Sequence, residues 1–76
     1  MQMPNERPFD LLNKVLGQQV LIRLKSNMNI RGRIVSFDAH MNVVIENAEE
    51  LEDGELKIKL GTILLRGGNI IFVSPA

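Results

Sequence analysis

The sequence predicts a mainly β fold, a short N-terminal helix followed by a strongly bent five-stranded antiparallel small barrel. Three observations carry that expectation. After Gly17 the chain passes from helical periodicity to β-branched and aliphatic runs. Those runs are short and are punctuated by turn formers at Ser26-Asn27, Asp53-Gly54 and Gly67-Gly68. An all-β domain of 76 residues must also hide its sheet edges, and partial closure into a barrel is the usual solution at that size.

The elements follow in order. Phe9, Leu12 and Leu16 recur at three- and four-residue intervals, which predicts an amphipathic helix over about 8–16, with Pro8 suited to its first turn and Gly17 to its C-terminal cap. Residues 20–25 read as the first strand, ended by Ser26-Asn27. Residues 30–38 form the second, and Gly32 inside it permits a sharp bend or a bulge. The third, over 41–48, follows so closely that an antiparallel hairpin is the natural connection. Glu49-Glu50-Leu51-Glu52-Asp53-Gly54 is expected to be a solvated acidic loop that turns at Asp53-Gly54. Leu56, Ile58 and Leu60 alternate with lysines to begin a fourth strand that continues past Gly61 to Leu65. Gly67-Gly68 break that pattern, and a fifth short strand over 69–73 is ended by Ser74-Pro75. With no repeat or linker, the chain reads as a single domain over 1–76.

Composition narrows the function. Nine basic and nine acidic residues balance, so no large positive field exists to drive salt-dependent duplex binding. Any nucleic-acid binding must be local, through stacking of unpaired bases on planar side chains. No apolar run approaches the ~20 residues that span a bilayer. The opening Met1-Gln2-Met3-Pro4-Asn5-Glu6 lacks the basic-then-apolar order of a secretory signal, which predicts a soluble cytoplasmic protein without membrane contact. The absence of cysteine excludes disulfides and thiolate metal sites.

Enzymatic readings fail on residue types. His40 is the only histidine, and Ser26, Ser36 and Ser74 have no nucleophile-elbow context. His40 with Asp38 is too thin a ligand set for a metal, the acidic stretch lacks calcium-loop spacing, and no glycine loop cradles phosphate before a helix. The chain is expected to be no enzyme and to carry no cofactor.

Two turn segments remain. In Asp38-Ala39-His40-Met41-Asn42, His40 and Asn42 are two positions apart, so extended backbone would point both the same way. A flat ring able to stack on a base then stands beside an amide able to read its edge. In Arg66-Gly67-Gly68-Asn69, the glycines permit close backbone approach while Arg66 projects a planar cation. On residue types alone, each segment also reads as an ordinary polar turn, which is the commoner case. Together they suggest a slot with His40 and Arg66 on opposite faces of a base and Asn42 at its edge.

At this point the sequence resembles the Sm and Sm-like (LSm) family, most closely its short archaeal members. One family motif, a glycine-bearing strand followed by Asp-x-His-Met-Asn and an aliphatic run, matches Gly32 through Ala48, within a segment of about 18–48. The other, an aliphatic run followed by Arg-Gly-x-Asn-Ile, matches Ile63 through Ile70, within about 56–73. The resemblance implies an Sm fold, a homo-oligomeric ring that is commonly a heptamer, and binding of single-stranded U-rich RNA around a central pore. It implies that His40 stacks on uracil, Asn42 hydrogen-bonds its Watson–Crick edge and Arg66 covers the opposite face. Asp38, Gly67 and Gly68 would support the loops, with Asp38 bonding backbone or neighbouring polar groups. Arg7 and Phe37 are candidates for a second RNA contact on the helix face, although phenylalanine there is more often core and arginine more often solvated. Gly68 departs from the aspartate that many archaeal members carry after Arg-Gly, which removes a supporting contact. A ring acting chiefly as a scaffold for other proteins, RNA-processing proteins among them, is the alternative that zero net charge and Gly68 leave open.

Overall fold

The structure, a computed structural model, describes residues 8–76. Helix α1 (Pro8–Val15) leads into five strands, β1 (Gln19–Leu24), β2 (Asn29–Phe37), β3 (Val43–Glu52), β4 (Glu55–Leu65) and β5 (Ile70–Pro75), with one 3-10 turn at Gly67–Asn69 before β5. All pairings are antiparallel, in the order β4-β3-β2-β1-β5. The fold is thus the helix and strongly bent five-stranded barrel that the sequence predicts. No helix among the described residues is long and apolar enough to cross a membrane.

The core follows from side-chain alternation. In β1, Val20, Ile22 and Leu24 point inward and meet Ile30 and Ile34 of β2 and Val43, Ile45 and Ala48 of β3. Each fully buried aliphatic contributes about 1.5–3 kcal/mol. No residue of α1 is buried outright, but Leu12 and Val15 pack against this cluster and close one mouth of it. The helix ends at Val15, one residue earlier than the periodicity suggests, where Gln18 donates to the Val15 carbonyl and Gly17 adopts φ +83°.

β2 is irregular at two points. The β2–β3 register shifts between Arg31 and Arg33 and again between Ile34 and Ser36. Gly32 sits at the first shift, where a Cβ would collide with Ile45 Cγ2 and lie 3.1 Å from Ala48 Cα and Glu46 O. Only glycine lets β3 cross so close.

The acidic stretch is not a loop. Glu49, Glu50, Leu51 and Glu52 extend β3, and the connection to β4 is just Asp53-Gly54, both at positive φ as a tight hairpin turn requires. The reason is register. Glu49 lies opposite Arg31 and bonds it at 2.9 Å, Glu46 pairs with Arg33, and Lys57 of β4 lies 3.8 Å from Glu50 and 3.5 Å from Glu52. Facing strands thus offer each carboxylate a cation, and strand extension needs no burial of uncompensated charge. At the other end, pairing with β1 runs through Ser74 to Pro75, which an edge strand tolerates because its outward positions need no donor.

The two edge strands, β4 and β5, are open, and each carries exposed apolar side chains. Leu56, Ile58, Leu60 and Leu64 of β4 and Ile71 and Phe72 of β5 are all exposed.

Candidate nucleic-acid interface

The turn between β2 and β3 is built around Asp38. Its Oδ1 accepts from the backbone amides of His40 (2.9 Å) and Asn42 (3.0 Å), and its Oδ2 accepts from Asn42 Nδ2 (3.1 Å). The backbone adds Met41 N donating to Asp38 O at 3.0 Å and Asp38 N donating to Asn42 O at 3.1 Å. The Asn42 side chain, then the Asn42 amide, then the His40 amide hold the Asp38 carboxyl below its ordinary value of 3.8. An aspartate that closes two bonds to its own following amides is a sequence-local device, and the residue types specify it.

The second turn, 66–69, folds onto the first. Gly67 N donates to Asn42 Oδ1 at 3.0 Å, and Asn69 N closes the 3-10 turn on Arg66 O at 2.9 Å. The approach is close enough that a Cβ at Gly67 would lie 2.5 Å from His40 O and 2.8 Å from Met41 O. Gly68 is different, since a Cβ there would meet nothing within 4 Å.

The result is a concavity of about 520 Å³ lined by His40, Asn42, Arg66, Gly68 and Asn69. The structure therefore brings His40, Asn42 and Arg66 to one place, as two separate sequence segments suggest. The cause differs from strand alternation. Residues 38–42 are a turn with Met41 at φ +65°, and the Asp38 clasp turns His40 and Asn42 to the same side. Asn42 is also less free than a dedicated edge reader: its oxygen receives Gly67 and one of its N–H groups is given to Asp38, leaving one N–H and one lone pair for a ligand. Asn69 lines the slot without having been singled out from the sequence. Its signal was its type, an amide directly after a glycine turn.

Phe37 meets Phe9 edge-on, with centroids 4.9 Å apart at 73°, and packs partly against the core. Arg7, its proposed companion, lies outside the described residues.

What the slot offers a ligand is planar surface. A flat imidazole and a planar guanidinium stand on two turns that one amide ties together, and Arg66 makes no ion pair among the described residues. Asp38 spends its acceptors on its own turn. Among those residues, no group of three His, Cys, Asp or Glu side chains is placed to hold a metal.

A second concavity of about 660 Å³ shares these turns through Met41 and Gly67 and is walled by Leu11, Leu12, Lys14 and Val15 of α1, by Val43, and by Ile70 to Val73 of β5. Its lining is apolar apart from Lys14, and it runs along the open β5 edge.

Comparison with known proteins places this geometry. An snRNP Sm-like protein of Methanosarcina barkeri is 46% identical over 69 residues, covering 91% of this chain and 96% of the relative. The structure of a Pyrococcus abyssi Sm protein in complex with a uridine heptamer superposes with TM-score 0.88 at 41% identity, covering 93% of this chain and all of that one. The P. aerophilum SmAP1 heptamer superposes with TM-score 0.85 at 40% identity, covering 96% of this chain and 97% of that one. Residues 10–75 match the LSM domain, both motif turns included, and the chain belongs to the LSM, or Sm-like, family.

Proposed function

We propose that this chain assembles into a closed homo-oligomeric ring, a heptamer, which binds single-stranded uridine-rich RNA around its pore and serves as a non-enzymatic scaffold for RNA processing in the cytoplasm. The observation that carries the reading is the slot itself, whose lining joins His40 and Arg66, two planar groups able to stack on a base, with Asn42, an amide able to read its edge. Stacking contributes ~1–3 kcal/mol per base, and several slots on one ring add through effective concentration, so tight binding needs no basic surface. The uridine oligomer bound by the similar Pyrococcus abyssi protein supports the ligand, and the SmAP1 heptamer supports the assembly.

Support for a ring also comes from the edges. β4, with its row of exposed aliphatics, and the uncharged β5 each have one unpaired side, and the two are complementary when β4 of one copy pairs with β5 of the next. That contact is head-to-tail, so it closes when the rotation per subunit divides a full turn.

The test is binding of oligouridine and oligoadenosine to the purified protein, with the mass of the bound species read by native mass spectrometry. A ring that prefers uridine is expected. A ring that ignores RNA would keep the assembly and favour a scaffold for proteins, the reading to which zero net charge and Gly68 point.

A further inference from the structure

The base slot and the apolar groove are two sides of one pair of turns. His40 and Asn42 line the slot, while Met41 between them lines the groove. Gly67 lines the groove and Gly68 beside it lines the slot. We propose that Met41 is a positioning residue: a second copy of this chain, seated in the groove, holds the Met41 side chain and thereby sets His40 and Asn42 for a base, so that assembly and base binding strengthen one another. The inference rests on the ring-forming, base-binding reading above.

The turn is built to transmit such a contact. Met41 sits at φ +65°, in the left-handed region, and its amide is tied to Asp38 O at 3.0 Å. The residues on either side of it give their amides to Asp38 Oδ1. Beneath, the Met41 carbonyl rests so near Gly67 that a Cβ there would be 2.8 Å from its oxygen and 2.9 Å from its carbon. Clasped above and packed below, the Met41 backbone cannot shift without carrying the His40 and Asn42 backbones with it. Of residues 38–42, Met41 alone lines the groove.

The occupant follows from the open strands. From Ile70 to Pro75, β5 carries no charge, and the groove runs along it. The β4 edge carries four exposed aliphatics, Leu56, Ile58, Leu60 and Leu64, the first three alternating with Lys57 and Lys59 and so sharing one face. Pairing β4 of a second copy to β5 satisfies both edges and lays an aliphatic strand along a groove walled by Ile70, Ile71 and Met41. An unbranched thioether adapts to such a surface more readily than a branched side chain. If the assembled state favours the base-ready turn, the bound base must favour assembly by the same factor.

Uridine monophosphate is the probe, because it fills one slot and cannot bridge two subunits. It is titrated by NMR into the wild type and into Met41→Ala, Met41→Leu and His40→Ala, each at a concentration where native mass spectrometry shows complete rings. Met41→Ala is expected to bind about tenfold more weakly, within the usual range of such couplings. Met41→Leu, which refills the volume with a branched side chain, should restore most of the affinity. Wild-type affinity in fully assembled Met41→Ala overturns the coupling. Should Met41→Ala fail to assemble, the wild type alone decides: its affinity for the mononucleotide is expected to fall when rings are diluted into subunits, and an unchanged affinity overturns the proposal. A wild-type ring that binds no better than His40→Ala instead overturns the base-slot reading beneath it, which keeps the two failures distinct.

Discussion

Asn42 and Gly67, 25 residues apart, are joined by one hydrogen bond in which the Gly67 amide donates to Asn42 Oδ1 at 3.0 Å. The same side chain donates to Asp38 Oδ2 at 3.1 Å, so a single amide spans the two turns that form the slot. Asn42→Ala leaves a partly buried N–H without a partner, a loss of about 1–3 kcal/mol. Denaturant unfolding at matched protein concentration should show that loss, and oligouridine affinity should fall with it. Asn42→Asp keeps an acceptor for Gly67 but sets a second carboxylate against Asp38, and it should bind oligouridine more weakly than wild type at neutral pH.

Adjacent glycines should respond oppositely. Gly67→Ala drives a Cβ against the His40 and Met41 carbonyls, and backbone atoms yield poorly; a loss of about 1–3 kcal/mol is expected together with loss of oligouridine binding. Gly68→Ala meets open space and should change stability by no more than about 0.5 kcal/mol. Equal losses at both positions in thermal melts would mean that the turns are not packed as described.

Asp38 gives the slot a lower pH limit. Its carboxyl is held below 3.8, first by the Asn42 side chain and then by the Asn42 and His40 amides, so the charged form is the one the turn favours. Such a group stabilises the turn fully above its unfolded value and loses that contribution as pH falls through the lower, folded value. The contribution should therefore be full at neutral pH, begin to fall as pH approaches 3.8 and be gone only below the lower, folded value. Carboxyl NMR should find Asp38 titrating under 3.8, whereas titration at or above that value would mean that the clasp does not form in solution.

Edge chemistry should control assembly separately from folding. Phe72 is 44% exposed on β5 and lines the groove. Phe72→Lys places a charge where another strand must pair, and native mass spectrometry should show subunits in place of rings while circular dichroism keeps its β signature. Persistence of the ring would remove β5 from the interface.

Gly32→Ala is a purely structural counterpart. The added methyl meets Ile45 and the Ala48 and Glu46 backbone, and about 1–3 kcal/mol should be lost. The slot's own residues are untouched, so folded protein should still bind oligouridine.

The sequence by itself determined the helix, five strands in order, the bend at Gly32, the turns at Ser26-Asn27, Asp53-Gly54 and Gly67-Gly68, and two short segments able to stack a base. All of these are local: periodicity, β-branching and turn chemistry act over a few neighbouring residues and can be read from them. What only the tertiary structure decided depends on register between distant strands. Glu49 to Glu52 look like a loop until β2 and β4 are set beside them, when Arg31 and Lys57 turn them into strand. His40 and Asn42 share a side because Asp38 clasps a turn with Met41 at positive φ, which period-two alternation does not describe. The Asn42–Gly67 bond and the groove behind it exist only once β5 lies against β1 and carries the second turn onto the first, since contacts across so much chain are fixed by the packing of the whole sheet.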